Sequence, residues 1–165
     1  MTERADNDQR LDANAAPNDV EFFGAALEQA RIGLSEGGVP IGAALAADGR
    51  LLGVGRNRRV QMASSIRHGE TDCLEQVGRL PASVYRRCTM YTTLSPCQMC
   101  TGAILLYGIP RVVIGENRNF MGGEDLLRSH GVEVIVLDDQ ECTRLMSTFI
   151  EENPTLWNED IGEEE

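Results

Sequence analysis

Apolar residues recur at helical spacing from Val20 through Phe22, Phe23, Ala26, Leu27 and Ala30 to Leu34, which predicts an amphipathic helix. Asn18 or Asp19 stands where an N-cap belongs, and Gly37-Gly38 supplies the stop. The nearly unbroken apolar run Val39 to Ala46 reads as a buried strand, and Leu51 to Gly55 as its return. Between them Ala47-Asp48-Gly49-Arg50 carries the Asp-Gly hairpin signal. The stretch from Arg56 to Arg67 is polar and without period. A helix is expected from about His68-Gly69-Glu70 through Leu74 and Val77 to Gly78, and a β-branched strand from Thr89 to Leu94. Ser95-Pro96 should open a helix through Met99, Ala103, Ile104 and Leu106, with the proline near its first turn. Two more strands follow at Arg111 to Ile114 and Val132 to Leu137, separated by a helix of about ten residues after Gly122-Gly123. An amphipathic helix from about Asp139 to Ile150 precedes an acidic segment introduced by Pro154.

Strand-helix alternation in the second half implies parallel crossovers, and the early hairpin adds an antiparallel edge. The class is α/β, with a mixed sheet of about five strands and no internal repeat. Residues 1–18 lack both period and hydrophobicity and read as a disordered N-terminal tail, leaving 19–165 as one domain.

Composition narrows the function. The net charge is −11, and all 15 cationic side chains are arginine. A polyanionic partner calls for a basic stripe. The nearest candidates, Arg56, Arg58 and Arg59 with Arg86 and Arg87, are expected to pair with carboxylates instead, so nucleic acid is not an expected partner. No apolar run approaches the ~18 residues of a membrane span. The amino-terminal residues lack a basic-then-apolar leader, which places the expected site of action in the cytoplasm. Five cysteines without a leader do not suggest a disulfide framework. Cys73, Cys88 and Cys142 read as small buried hydrophobes, whereas Cys97 and Cys100 form a Cys-x-x-Cys.

That pair gains meaning from what precedes it. His68-Gly69-Glu70 followed by Pro96-Cys97-Gln98-Met99-Cys100 is the signature order of zinc nucleobase deaminases. Two thiolates and one imidazole give three protein ligands and leave a fourth tetrahedral position for water, the pattern of a catalytic zinc site. Both ligand sets fall at predicted helix N-termini, where the dipole and free N–H groups favour thiolate. Glu70, two residues past the histidine, can face the same cavity without binding metal and is suited to move protons as a general acid–base. A thioredoxin-like redox pair would leave His68 and Glu70 without a role.

The chain resembles the cytidine and cytosine deaminase superfamily, most closely the fungal-type cytosine deaminases. The resemblance is carried by Glu36 to Gly42, Asn57, His68-Gly69-Glu70, Tyr91 to Cys97, Cys100 to Ile104, Tyr107 to Arg111, Gly115-Glu116-Asn117 and Asn119-Phe120. It is carried above all by the tail Trp157-Asn158-Glu159-Asp160-Ile161-Gly162-Glu163. It implies a three-layer α/β/α cytidine-deaminase-like fold, a homodimer, and one zinc ion per chain on His68, Cys97 and Cys100. Glu70 would be the proton shuttle. The Asn57 amide and the Gly69 N–H would hold a pyrimidine carbonyl, and Asp160 would accept from the exocyclic amine. Phe120 and Trp157 would cover the base, with Ile41, Leu94 and Ser95 lining the pocket.

The implied reaction is hydrolytic deamination of a free nucleobase, cytosine first. Guanine, isocytosine, a pterin or a triazine are alternatives, and a tRNA adenosine deaminase or a zinc-stabilised binding protein more distant ones. Arg67 beside the zinc histidine and Thr71-Asp72 after Glu70 depart from the fungal pattern. If Arg67 and Asp72 point away from the cavity, they are expected to pair with each other or across the dimer; if either reaches it, another amino-pyrimidine, a pterin or a triazine becomes the expected substrate. Trp157 and Ile161, at i and i+4, share one face of a short helix, so residues 154–165 are expected to form a lid.

Overall fold

Residues 18–164 are described in a computed structural model of the chain; the expected tail lies outside them apart from Asn18. Helix α1 (Asp19–Ser35) leads into the hairpin β1 (Gly42–Ala47) and β2 (Arg50–Arg56). After a short helix, α2 (Arg59–Met62), come α3 (Gly69–Val77), α4 (Ala82–Tyr85), β3 (Cys88–Leu94) and α5 (Gln98–Tyr107). The chain closes with β4 (Arg111–Glu116), α6 (Glu124–Ser129), β5 (Glu133–Val136), α7 (Gln140–Glu152) and α8 (Pro154–Asp160).

The five strands form one mixed sheet in the order β2-β1-β3-β4-β5. β1 runs antiparallel to both β2 and β3, while β3, β4 and β5 are parallel to one another. Both faces are covered, as a largely parallel sheet requires. Alternate residues of β1 enter opposite cores. Ala43, Leu45 and Ala47 pack with Cys73 and Ile104 from the α3 and α5 layer. Ala44 and Ala46 pack with Phe22, Phe23, Ala26 and Cys142 from the α1 and α7 layer. The architecture is the expected three-layer α/β/α sandwich. Cys73, Cys88 and Cys142 are buried, as expected of small apolar residues. No helix among the described residues is long and apolar enough to cross a membrane.

Several boundaries differ from the sequence reading, each for a local reason. Asn18 occupies the N-cap of α1 but makes no side-chain cap. Asp19 is not a cap either: it is buried and ion-paired to Arg111 at 2.7 Å. The strand begins at Gly42 rather than Val39, because Val39 and Ile41 leave the sheet to join the core around Trp157. Pro96 precedes the helix, whose N-cap is Cys97. α6 has six residues, not ten, because Gly131 adopts φ +81° just past its end. The short α2 and α4 carry no period that a four-residue helix could display.

One close approach fixes the position of α3. A Cβ on Gly55 of β2 would lie 2.2 Å from the Cys73 backbone nitrogen. Only glycine lets the helix settle that near the strand, and the helix carries Glu70 at its start.

Candidate active site

His68 and Cys97 are the N-caps of α3 and α5, and Cys100 lies in the first turn of α5. The helices deliver their N-terminal ends to the same point, at the amino end of β1 and the carboxyl end of the antiparallel β3. Thr71 reinforces the first of them, its Oγ1 accepting from the His68 N–H at 2.9 Å. The ligand atoms of His68, Cys97 and Cys100 all lie within 4.8 Å of one another, and Cys97 Sγ sits 3.4 Å from His68 Nδ1. A tetrahedral zinc ion holds its sulfur and nitrogen ligands roughly 3.5–3.8 Å apart, so the donor set fits that metal in kind and in spacing.

The protonation pattern suits the same use. A hydrogen bond from the Cys100 thiol, helped by one from His68, pulls Cys97 down to about 4 against its burial. That bond to Cys97, together with burial, pushes Cys100 well above the usual thiol range. Burial alone would lower His68, but the hydrogen bond to Cys97 and the nearby Asp160 carboxylate raise it to about 9. One thiol and an imidazole are thus crowded around a single thiolate.

Glu70 is buried beside this group, and burial pushes its carboxyl up. The Thr92 hydroxyl binds its Oε1 and also lies 3.1 Å from the Leu94 carbonyl. Asn57, at the end of β2, is fully buried. Its Nδ2 donates to Asp160 Oδ1 at 2.7 Å, and its Oδ1 accepts from the Arg59 N–H. The other Asp160 oxygen is 3.7 Å from His68 Nε2. Burial raises the Asp160 carboxyl, while His68 and the Asn57 hydrogen bond act to lower it.

A small cavity, about 260 Å³ including its mouth, is lined by Ile41, Glu70, Leu94, Ser95, Phe120, Trp157, Asp160 and Ile161, with His68 and Cys97 at its floor. Asn57, Gly69 and Cys100 stand behind that lining. Gly69 is the first residue of α3, where a backbone N–H has no acceptor within the helix. Phe120 and Trp157 meet edge to face at 5.9 Å between ring centres. Arg67 and Asp72 stay out of the cavity and pair with each other at 2.7 Å.

The sequence reading missed some of the supporting residues. Glu124, buried at the start of α6, accepts the Ser95 hydroxyl at 2.6 Å and the Asn117 amide at 3.2 Å. The Gly122 N–H donates to Ser95 Oγ at 3.0 Å. A Cβ on Gly122 would stand 1.8 Å from the Pro96 carbonyl oxygen, so the Phe120 loop can lie there only with glycine. Thr92 left one signal. It falls on the same face of β3 as the core residues Cys88 and Met90, where a hydroxyl needs a partner.

A family model described as the cytidine and deoxycytidylate deaminase zinc-binding region matches residues 17–116. The chain belongs to the cytidine and deoxycytidylate deaminase family. This deaminase is 57% identical to the cytosine deaminase of Candida albicans over 147 residues, 88% of this chain and 98% of that one. Among solved structures, a tRNA:A34 deaminase superposes with a TM-score of 0.66 at 26% identity, covering 76% of this chain and 98% of that one. A guanine deaminase from Nitrosomonas europaea shares the fold, with a TM-score of 0.63 at 23% identity over 86% of this chain and 91% of the other. The enzyme is a zinc-dependent hydrolytic deaminase, and the expected zinc chemistry stands.

Proposed function

We propose that this deaminase converts free cytosine to uracil and ammonia. The observation that carries the reading is the buried Asn57–Asp160 pair beside Glu70 at this cavity. The cavity is walled by the rings of Phe120 and Trp157 and by Ile41 and Leu94, a lining that suits one flat heterocycle. Asn57 offers an amide donor to a ring carbonyl and the Gly69 N–H a second. Asp160 offers an acceptor to ring or exocyclic N–H groups. The likeness to the Candida cytosine deaminase supports the same base.

Zinc held by His68, Cys97 and Cys100 would supply the acidified water that hydrolysis consumes. Glu70 would take one proton of the attacking water and give it to the ring nitrogen. It would then take the second from the newly bound hydroxyl and give it to the leaving amine, so that both protons of the water are used. Thr92 fixes one Glu70 oxygen so that the carboxyl keeps its aim. Phe120 and Trp157 stack and cover the base, and Ile41, Leu94 and Ser95 close the sides. Residues 154–165 act as a lid on a domain spanning 19–165.

The arginines Arg56, Arg58, Arg59 and Arg87 all lie within ion-pair distance of carboxylates of the same chain, which supports a free base over a tRNA substrate. Free cysteines support a reducing, cytoplasmic setting. The exposed apolar side chains of Leu106, Tyr107 and Met121 support a homodimer, which light scattering would test. Loss of ultraviolet absorbance on mixing the protein with cytosine, cytidine, guanine and adenine in turn tests the substrate. Turnover of cytosine alone is expected, and preference for cytidine or guanine would overturn the assignment.

A further inference from the structure

Asp72 lies one helical turn past His68 and is fully buried, yet it does not line the cavity. Its carboxylate is satisfied from both segments that carry the site. From the 56–58 segment, the Arg56 backbone N–H and the Arg58 Nε each donate to Oδ2 at 3.0 Å. From the segment ending at His68, Arg67 Nη1 donates to Oδ1 at 2.7 Å. The segments are also joined directly, the Arg58 N–H donating to the Arg67 carbonyl at 2.9 Å. Asp72 closes the circle through its own N–H, which donates to the His68 carbonyl at 2.8 Å.

Asn57 sits inside the first segment and His68 ends the second. One carboxylate therefore ties the backbone that carries the amide to the backbone that carries the imidazole. The outer side of the first segment is anchored as well, because the Arg56 guanidinium binds Gln29 on α1 at 2.8 Å and Glu36, the C-cap of that helix, at 2.7 Å. A buried charge is costly unless donors surround it. Here three donors do so, and two of them flank Asn57.

We infer that Asp72, with Arg58 and Arg67, is a positioning device that sets the spacing between Asn57 and His68. It thereby sets where a bound base lies relative to the zinc group. The inference rests on the reading of Asn57 as the donor to the ring carbonyl. Displacement of a reacting group by about 1 Å can cost on the order of 100-fold in rate, so a loosened clamp is expected to be felt without any change in the groups that touch the base.

The test uses the zinc-loaded full chain and the variants Asp72→Asn and Arg67→Met. Asp72→Asn keeps the shape but turns a donor against an arginine, and Arg67→Met removes one strand of the clamp if the first variant folds poorly. With zinc content and cooperative melting retained, kcat/KM on cytosine should fall by about tenfold or more, as a misplaced group implies. In an Asn57→Ala background the same change should cost less than about twofold, because effects that act through one residue do not add. The assigned side-chain amide resonance of Asn57 should also shift in the variants before any base is added. Equal losses in both backgrounds, loss of zinc from the variants, or an unmoved Asn57 amide with kcat/KM within about twofold would each overturn the inference. A wild-type protein inactive on cytosine overturns the substrate reading alone, and the Asn57 resonance then decides the clamp by itself.

Discussion

The Asn57 amide donates to the Asp160 carboxylate at 2.7 Å across 103 residues of sequence. This bond joins the end of the second strand to the last helix and sets the Asn57 amide directly behind the Asp160 carboxylate that lines the cavity. Arg59 stands 3.9 Å from the same Asp160 oxygen, and His68 flanks the other. Asp160 thus faces the substrate space with its charge already shared among neighbours.

Removing that carboxylate leaves the buried Asn57 amide without its partner. A buried polar group stripped of its hydrogen bond costs about 1–3 kcal/mol, and 1.4 kcal/mol is a factor of about ten. Asp160→Ala should therefore lower kcat/KM on cytosine by at least about tenfold. Steady-state kinetics at matched zinc content check this, and unchanged kinetics would remove Asp160 from the binding set.

Glu70→Gln is close in shape and should keep both fold and zinc. Turnover should fall by about 100-fold or more, the scale of a lost general acid–base. Thr92→Val, which leaves Glu70 in place but unsupported, should give a smaller loss in the same direction. Near-native turnover in Glu70→Gln would exclude the carboxyl from proton transfer.

Metal uptake should release protons. In the metal-free site at pH 7, Cys97, held at about 4, is already thiolate, while His68, at about 9, and Cys100, well above its usual range, carry protons. Zinc requires all three deprotonated, so binding should displace about two protons. Apparent affinity should therefore rise with pH by about 100-fold per unit near neutrality. Calorimetry in buffers of different ionisation enthalpy counts those protons directly, and a value near zero would contradict the protonation pattern.

Deleting residues 154–165 should leave a folded, zinc-loaded domain with almost no deaminase activity. Trp157 and Asp160 are buried and Ile161 lines the cavity, so the deletion opens the site to water without touching the sheet. Circular dichroism, metal analysis and an activity assay on the truncated protein decide the matter. Normal activity would reduce the segment to a solubilising extension.

The second buried ion pair is remote from the site and should affect stability alone. Asp19 and Arg111 sit on opposite sides of the α1–sheet boundary, with the Tyr91 hydroxyl bound to the same Asp19 oxygen. Removing one partner of a buried pair costs about 3–5 kcal/mol, so Asp19→Ala should lower the melting temperature markedly while kcat/KM on cytosine in the folded protein is kept. A melting temperature equal to that of the wild type would mean that the pair adds nothing.

What could be read from the residues, and what could not, divides along physical lines. The strands and long helices were legible because burial imposes a period, as in Phe22, Phe23, Ala26 and Ala30 on α1. The zinc group was legible because His68-Gly69-Glu70 and Cys97 to Cys100 carry fixed local spacings tied to helix starts. The contacts of Asp19 with Arg111, and of Ser95 with Glu124, were not. They join residues 92 and 29 positions apart, with no periodic mark on either partner. The fate of Arg67 and Asp72 turned on side-chain direction, which no spacing specifies. The first helix ran the other way: its cap residues were visible, but tertiary pairing claimed Asp19 for Arg111.

The docking of α8 has a consequence for how the enzyme fails on heating. Seven residues are too few to hold a helix in isolation, and α8 leans on α7 and the cavity rim, where Trp157 packs with Met146 and Phe149. A cooperative unit so small opens at a lower free energy than the sheet. Activity should accordingly vanish at temperatures where the β-sheet signal is still intact. Cooling should restore it without refolding of the rest, because everything beneath the departed helix has stayed in register.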